Sequence, residues 1–199
     1  MNKEYHLFGK YRLLHQLGTG RAGTVWLAVH IGLEEYRAIK RISKRDADYD
    51  SFRREALVLK ELHHPGIPMI YDLEEDSEFF YLIEEYLEGY SLYALIVNQG
   101  PIQEAEAVRY GMQVCGLVAY MHSACEIPIL HLDLQPNNLI ICNGTVKLID
   151  FDHAAGAVGQ TLPQSDSAQW AARLLNSMLL TACWIKGPTF MPLVQSSVL

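Results

Sequence analysis

Cysteine is scarce and unpatterned in this chain. Cys115, Cys125, Cys142 and Cys183 form no Cys-x-x-Cys pair and no metal-ligand spacing; the pattern implies free thiols in a reducing compartment. Positive charge is also short, with 16 Lys and Arg against 23 Asp and Glu and a formal net charge of −7. A phosphate backbone is bound by clustered cations, so nucleic acid is not an expected partner. The one basic cluster, 37–45, is brief. Long apolar runs are missing too. Residues 1–10 lack the apolar stretch of a signal peptide. The most apolar late segment, 168–185, is broken by Arg173, Asn176 and Ser177 and reads as a buried helix rather than a membrane span. There is no internal repeat and no low-complexity segment. What remains is the expectation of a soluble, cytoplasmic, globular protein. A chain of 199 residues can bury roughly 70% of its unfolded surface.

The first half reads as strands with one helix, and the second half as mostly helix. Two short β-rich runs, 11–17 and 24–30, flank a glycine-rich turn. The segment 35–42 alternates, with Tyr36, Ala38, Lys40 and Ile42 on one face and Arg37, Ile39 and Arg41 on the other, which should be solvated. Helical periodicity over 51–62 places Phe52, Ala56 and Leu59 on one stripe. The prolines and glycine of 63–68 end that helix. Strands are expected at 67–73 and 79–85, a connector at 88–90, a short helix at 92–98 and a long one at 103–122. The long helix should bury Val114, Leu117 and Met121, with Val108 and Cys115 adjacent. Asn143-Gly144 between two β-rich runs predicts a tight hairpin. A loop follows, and then a helix over 167–182.

Two charges stand where charge is costly. Lys40 shares a strand face with Ala38 and Ile42, and Glu55 shares the core-facing helical stripe. Each is expensive to bury alone and tolerable as a pair. On these two residues alone, a purely structural ion pair, or two side chains that snorkel outward, is the commoner explanation. Gly18-Thr19-Gly20-Arg21-Ala22-Gly23-Thr24-Val25 lies between two strands. Glycines there let backbone N–H groups approach phosphate oxygens, although an ordinary glycine-bearing hairpin fits the same match. The strand–loop–strand context disfavours a dinucleotide fingerprint, which needs a helix after the glycines, and a Walker loop is excluded because no Gly-Lys-Ser/Thr follows.

The second half carries the more specific signal. His131-Leu132-Asp133-Leu134-Gln135-Pro136-Asn137-Asn138 precedes the hairpin, and Asp150-Phe151-Asp152 follows it. Asp133, Asn138 and Asp150 are oxygen-bearing groups flanking apolar strands. They suit a hydroxyl-activating base and a hard divalent cation, and the competing explanation is three turn-forming residues.

A glycine loop, Ala38-Ile39-Lys40, a helix Glu, His-x-Asp-Leu-x-Pro-x-Asn and Asp-Phe-x follow one another in the order found in the protein kinase family, which 11–182 resembles, particularly bacterial Ser/Thr kinases. The resemblance implies an α+β, bilobal protein-kinase-like fold. Its N-lobe, 1–87, would hold a five-stranded antiparallel sheet and one helix, and its C-lobe, 88–199, would be shortened and mainly helical. It implies ATP and Mg²⁺ (or Mn²⁺) as cofactors. Gly18, Gly20 and Gly23 would cover the phosphates, and Lys40, oriented by Glu55, would hold the α- and β-phosphates. Asp133 would accept the proton of the acceptor hydroxyl, and Asn138 and Asp150 would bind the metal. Leu17, Val25, Ala38 and Ile140 would sandwich adenine, with backbone hydrogen bonds from Glu85 and Leu87. Leu59, His131, Phe151 and Asp166 match the family's regulatory spine.

Departures from the family pattern shape the expected function. Leu132 replaces the arginine that answers a phosphorylated activation loop, only 152–166 remain for that segment, and no Ala-Pro-Glu is present. Gln135 replaces a lysine that meets the transferred phosphate, which should weaken transition-state stabilisation. Asp152 replaces a glycine, and Glu84 holds the gatekeeper position. Trp170, Leu174, Met178 and Trp184 would be left partly bare, which predicts a partner or a homodimer covering the short C-lobe. The expected activity is transfer of the ATP γ-phosphate to Ser/Thr hydroxyls, on itself or a bound protein, without activation-loop switching. The alternatives are a nucleotide-binding pseudokinase scaffold and a small-molecule kinase.

Overall fold

The structure is a computed structural model that describes residues 6–20, 23–46 and 49–156. Arg21 and Ala22, Asp166, the helix expected over 167–182, Trp170, Leu174, Met178, Cys183 and Trp184 lie outside the described residues.

The strands are β1 (His6–Leu7), β2 (Tyr11–Gly20), β3 (Gly23–His30), β4 (Glu35–Ser43), β5 (Ile70–Glu75), β6 (Phe79–Glu85), β7 (Tyr90–Ser91), β8 (Ile129–Leu130), β9 (Leu139–Cys142), β10 (Thr145–Leu148) and β11 (Ala155–Gly156). The helices are α1 (Tyr49–Glu61), α2 (Leu92–Gln99) and α3 (Glu104–Ser123). One antiparallel sheet runs in the order β1-β2-β3-β4-β6-β5. It has one strand more than the five expected, because the two-residue β1 folds back on Tyr11 and Arg12. A second sheet joins β10, β9 and β7, and a third pairs β11 with β8.

Local chemistry explains most boundaries. The Asn143-Gly144 turn sits at φ 49° and 78°, the left-handed pair that a two-residue hairpin needs, and β9 and β10 pair in register around it. Ser91 caps α2 by accepting the Ala94 N–H at 3.1 Å. The strand expected from residue 67 starts at Ile70 instead. The preceding turn is pinned by Ile67 N–H to the His64 carbonyl at 2.9 Å and by Gly66 N–H to His64 Nδ1 at 2.9 Å.

Cross-strand register gives the main sheet two faces. Val25 opposes Lys40, Leu27 opposes Ala38, and Ala38 in turn opposes Glu84. Directly opposed side chains share a face, so these residues form an inner face together with Leu82. The inner face packs on α1, where Phe52, Ala56 and Leu59 are buried. Their core continues without a break into Val114, Leu117 and Met121 of α3, Leu139 of β9, Val146 of β10 and Phe151. The outer face of β4 is not solvated as expected. Ile39 is buried with Tyr11, Ala28, Tyr81 and Ile83, and Leu7, Phe8 and Phe79 lie against them. Arg37 on that face is buried, its guanidinium 3.8 Å over the Tyr71 ring. On α3, Val108 is exposed and its place on the buried face is taken by Ala107 and Tyr110.

Among the described residues no helix is long and apolar enough to cross a membrane. Leu82 joins the sheet to α1 and is fully buried. Leu82→Ala is expected to lower the unfolding free energy by about 2–5 kcal/mol, measured by urea denaturation, and a loss well under ~1 kcal/mol would count against this core.

Candidate active site

Lys40 is the anchor. β4 carries it to the inner face, where it is 5% exposed, and the opposing stripe of α1 brings up Glu55, 3% exposed. Its Nζ donates to both Glu55 oxygens at 3.0 Å and to Asp150 Oδ1 at 2.7 Å. Burial pulls the Lys40 pKa down, but Glu55 and Asp150 outweigh it and hold the pKa above the ordinary lysine range. Burial raises the Glu55 pKa against the pull of Lys40. Asp150 reaches the lysine from a backbone at φ 66°. A non-glycine residue in that region costs about 1–3 kcal/mol, and it persists where surrounding structure imposes it. Here the imposing contacts are Phe151, 1% exposed and edge-on to the His131 ring at 4.8 Å, and the Ile149 carbonyl, which lies 3.0 Å from His131 Nε2. Burial lowers the His131 pKa against the pull of the Ile149 carbonyl and the nearby aspartates. Leu59 and Phe151 share the main core, and Asp166 lies outside the described residues.

A second group surrounds Asp133. Its Oδ2 accepts Asn138 Nδ2 at 2.9 Å and Gln135 Nε2 at 2.8 Å, and its backbone carbonyl also accepts Asn138 Nδ2 at 2.9 Å. The contact from Gln135 was not anticipated from sequence, where this residue registered only as a missing positive charge. Pro136–Asn138 forms a short 3-10 turn that folds the buried Asn138 back onto Asp133. The Asn138 carbonyl accepts the Ile149 N–H at 2.9 Å, which ties this group to the residue before Asp150.

The remaining expected residues are placed as follows. Gly18 opposes Val25, and Gly20 opposes Gly23, across β2 and β3. Gly23 has φ 121°, and a Cβ there would collide with the Arg41 carbonyl, so this position requires glycine. Leu17 is exposed; Val25 and Ala38 are half-buried on the inner face. Ile140 is half-buried on β9, between Leu139 and Ile141, which point into the core. The Glu85 N–H donates to the Met69 carbonyl at 2.8 Å, and its carboxylate meets the Met69 N–H at 3.3 Å and Lys147 Nζ at 3.5 Å. Its backbone carbonyl and the backbone of half-buried Leu87 are what these two residues have to offer.

Residues 11–179 match the family model of the protein kinase domain. The chain belongs to the protein kinase family. This kinase domain is 33% identical to the serine/threonine-protein kinase PrkC of Bacillus subtilis over 174 residues, 84% of this chain and 26% of PrkC. It is 38% identical over 146 residues to a probable serine/threonine-protein kinase, a KIN1 homolog of Enterocytozoon bieneusi, covering 72% of this chain and 24% of that protein. The kinase domain thus spans about a quarter of the length of these relatives.

One carboxyl near Lys40 was noted from sequence only as an unusual residue at its position. Burial, with Glu55 and Asp150 nearby, pushes the pKa of half-buried Glu84 up to about 8 despite Lys40. An acid whose folded pKa lies above its unfolded value binds its proton more tightly in the folded kinase domain. Its contribution to stability is present below about pH 4.5 and is lost as pH rises towards 8. Denaturation across that window is expected to show a steeper decline for wild type than for Glu84→Gln. Parallel curves would remove the effect.

Proposed function

We propose that this domain transfers the γ-phosphoryl group of ATP to a Ser or Thr hydroxyl of a protein, with Mg²⁺ or Mn²⁺ bound beside the phosphates. The observation that carries the reading is the 2.7 Å contact of Lys40 with Asp150, 110 residues away in sequence, next to the Asp133–Asn138 pair. Residues 1–87 form the proposed ATP-binding lobe and 88–199 the lobe with the catalytic loop. Lys40, held by Glu55, presents a fixed cation to the α- and β-phosphates, and the glycine-bearing β2–β3 hairpin brings backbone N–H groups over them.

The donor set fits a hard cation. The Asn138 amide nitrogen is committed to Asp133, which leaves its carbonyl oxygen, and Asp150 keeps a carboxylate oxygen beyond the one that meets Lys40. When bound, the cation would neutralise charge on the phosphate oxygens. Asp133 has Oδ2 engaged by two amides, so Oδ1 takes the acceptor proton. The hydroxyl oxygen bonds to the γ-phosphorus as the bond to the β–γ bridging oxygen breaks, and ADP leaves.

Gln135 takes a positioning part in this reading. It supplies a neutral donor to Asp133 where the family pattern has a cation. Leu132 is 66% exposed at φ 61°. An apolar side chain gives a phosphorylated loop nothing to bind, which supports activity independent of that switch.

Labelled ATP and Mg²⁺ should transfer label to the chain itself or to an added Ser/Thr-rich protein. Lys40→Ala and Asp133→Asn are each expected to reduce incorporation by about 10²-fold or more. An unlabelled wild type whose melting temperature still rises with nucleotide would replace transfer with a scaffold role. Gln135→Ala should lower kcat by about tenfold while leaving ATP affinity within about twofold, because it acts on Asp133 and not on the nucleotide; equal losses in both would contradict that role.

A further inference from the structure

Glu84 is the polar group on the inner face that the proposed chemistry does not use. Its strand pairing puts it opposite Ala38, with Lys40 and Leu82 the next inner-facing pair along. Opposed side chains in such a pair have Cβ atoms about 5 Å apart, so a flat group resting on the Ala38 methyl lies within reach of the Glu84 carboxyl. The rest of this stretch of the face is apolar: Val25 and Leu27 come from β3 and Ala38 from β4. Glu84 is the exception.

Its neighbour shows what a satisfied carboxylate looks like here. Glu85, on the opposite face, holds the Met69 N–H and Lys147. Glu84 makes no hydrogen bond or ion pair with any described residue. Lys40 is the nearby cation, and it already meets both oxygens of Glu55 and one of Asp150. A half-buried carboxyl left without a partner raises the question of what satisfies it, since burying polar groups unpaired is unfavourable.

We propose that Glu84 reads the base of the bound nucleotide, accepting a hydrogen bond from the exocyclic amine of adenine and rejecting bases that carry a carbonyl oxygen at that position. This rests on the ATP-binding reading above. Adenine presents an amine donor beside the N7 acceptor, whereas guanine and hypoxanthine present two acceptors, O6 and N7. A protonated carboxyl has one donor and one acceptor and matches the adenine edge at both points. An ionised carboxyl has only acceptors and still receives the amine. Against the O6 and N7 acceptors an ionised carboxyl meets two acceptors, while a protonated one can donate to one and sets its remaining acceptor against the other, so adenine makes one more matched contact in both states. The elevated Glu84 pKa favours the form that matches both positions of the adenine edge.

The test is the ratio of dissociation constants for Mg-ATP and Mg-ITP, measured by calorimetry on the full chain, because inosine differs from adenosine at this edge and lacks the 2-amino group of guanosine. Glu84→Gln is nearly isosteric and carries two N–H donors, so it tolerates O6; Glu84→Met removes the reading altogether. The preference for ATP over ITP is expected to be about tenfold larger in wild type than in either variant, with Glu84→Gln gaining affinity for ITP. Ratios that agree within about twofold across the three proteins would overturn the role of Glu84 while leaving ATP binding intact. A wild type that binds neither nucleotide would overturn the ATP-binding reading, and this inference with it.

Discussion

A lysine ammonium only 5% exposed is the constraint around which the described fold is arranged. Such a charge is unfavourable in the interior unless carboxylates meet it with good geometry. Satisfying it calls for α1 docked so that Glu55 faces inward. It also calls for a β4 register that turns Lys40 towards α1, and for the segment after β10 to deliver Asp150 from a strained backbone. Buried ion pairs contribute little net stability, because desolvation offsets attraction. The stability that tolerates them comes from the apolar packing around Phe52, Leu59, Leu82 and Phe151. A charge kept at such expense is better explained by what it binds than by what it stabilises, which is why the triad outweighs the glycine hairpin as a pointer to function.

Around that triad the chain keeps the groups that set charge and changes several of their neighbours. Leu132, Gln135, Glu84 and Asp152 all stand where the family pattern has something else. Gln135 substitutes a neutral hydrogen bond to Asp133 for a positive charge, so the carboxylate is oriented but less shielded. Asp152 has a buried Oδ1 with no hydrogen-bond partner among the described residues, 3.8 Å from His153 Nε2. With Glu55 and Asp150 it adds to an acidic surround for Lys40, a setting in which a bound cation is electrostatically welcome.

Much of this was legible from residues alone, where the signal is local. The Asn143-Gly144 hairpin, the stripe of Phe52, Glu55, Ala56 and Leu59, and the alternation through Ala38 and Lys40 depend on turn chemistry or period, which a sequence displays directly. The misses are non-local. The outer face of β4 carries two arginines and looked solvated, yet the cover for Arg37 comes from Tyr71 and that for Ile39 from Tyr11 and Tyr81. Two-residue strands such as β1, β8 and β11 are too short for any pattern. The amide of Gln135 reveals its role only when the turn at Pro136 folds it towards Asp133. Glu84 stood out in the sequence for its position alone; counting in steps of two from Leu82 also places it beside Ala38 on the inner face.

Phosphoryl transfer at this site requires Lys40, Asn138 and Asp150 to share one nucleotide and its cation. Calorimetry of ATP binding with and without Mg²⁺, in wild type and in Asp150→Asn, addresses that directly. Mg²⁺ is expected to tighten ATP binding by about tenfold or more in wild type and to lose most of that gain in the variant. An equal Mg²⁺ gain in both proteins, or no ATP binding by the wild type, would contradict it.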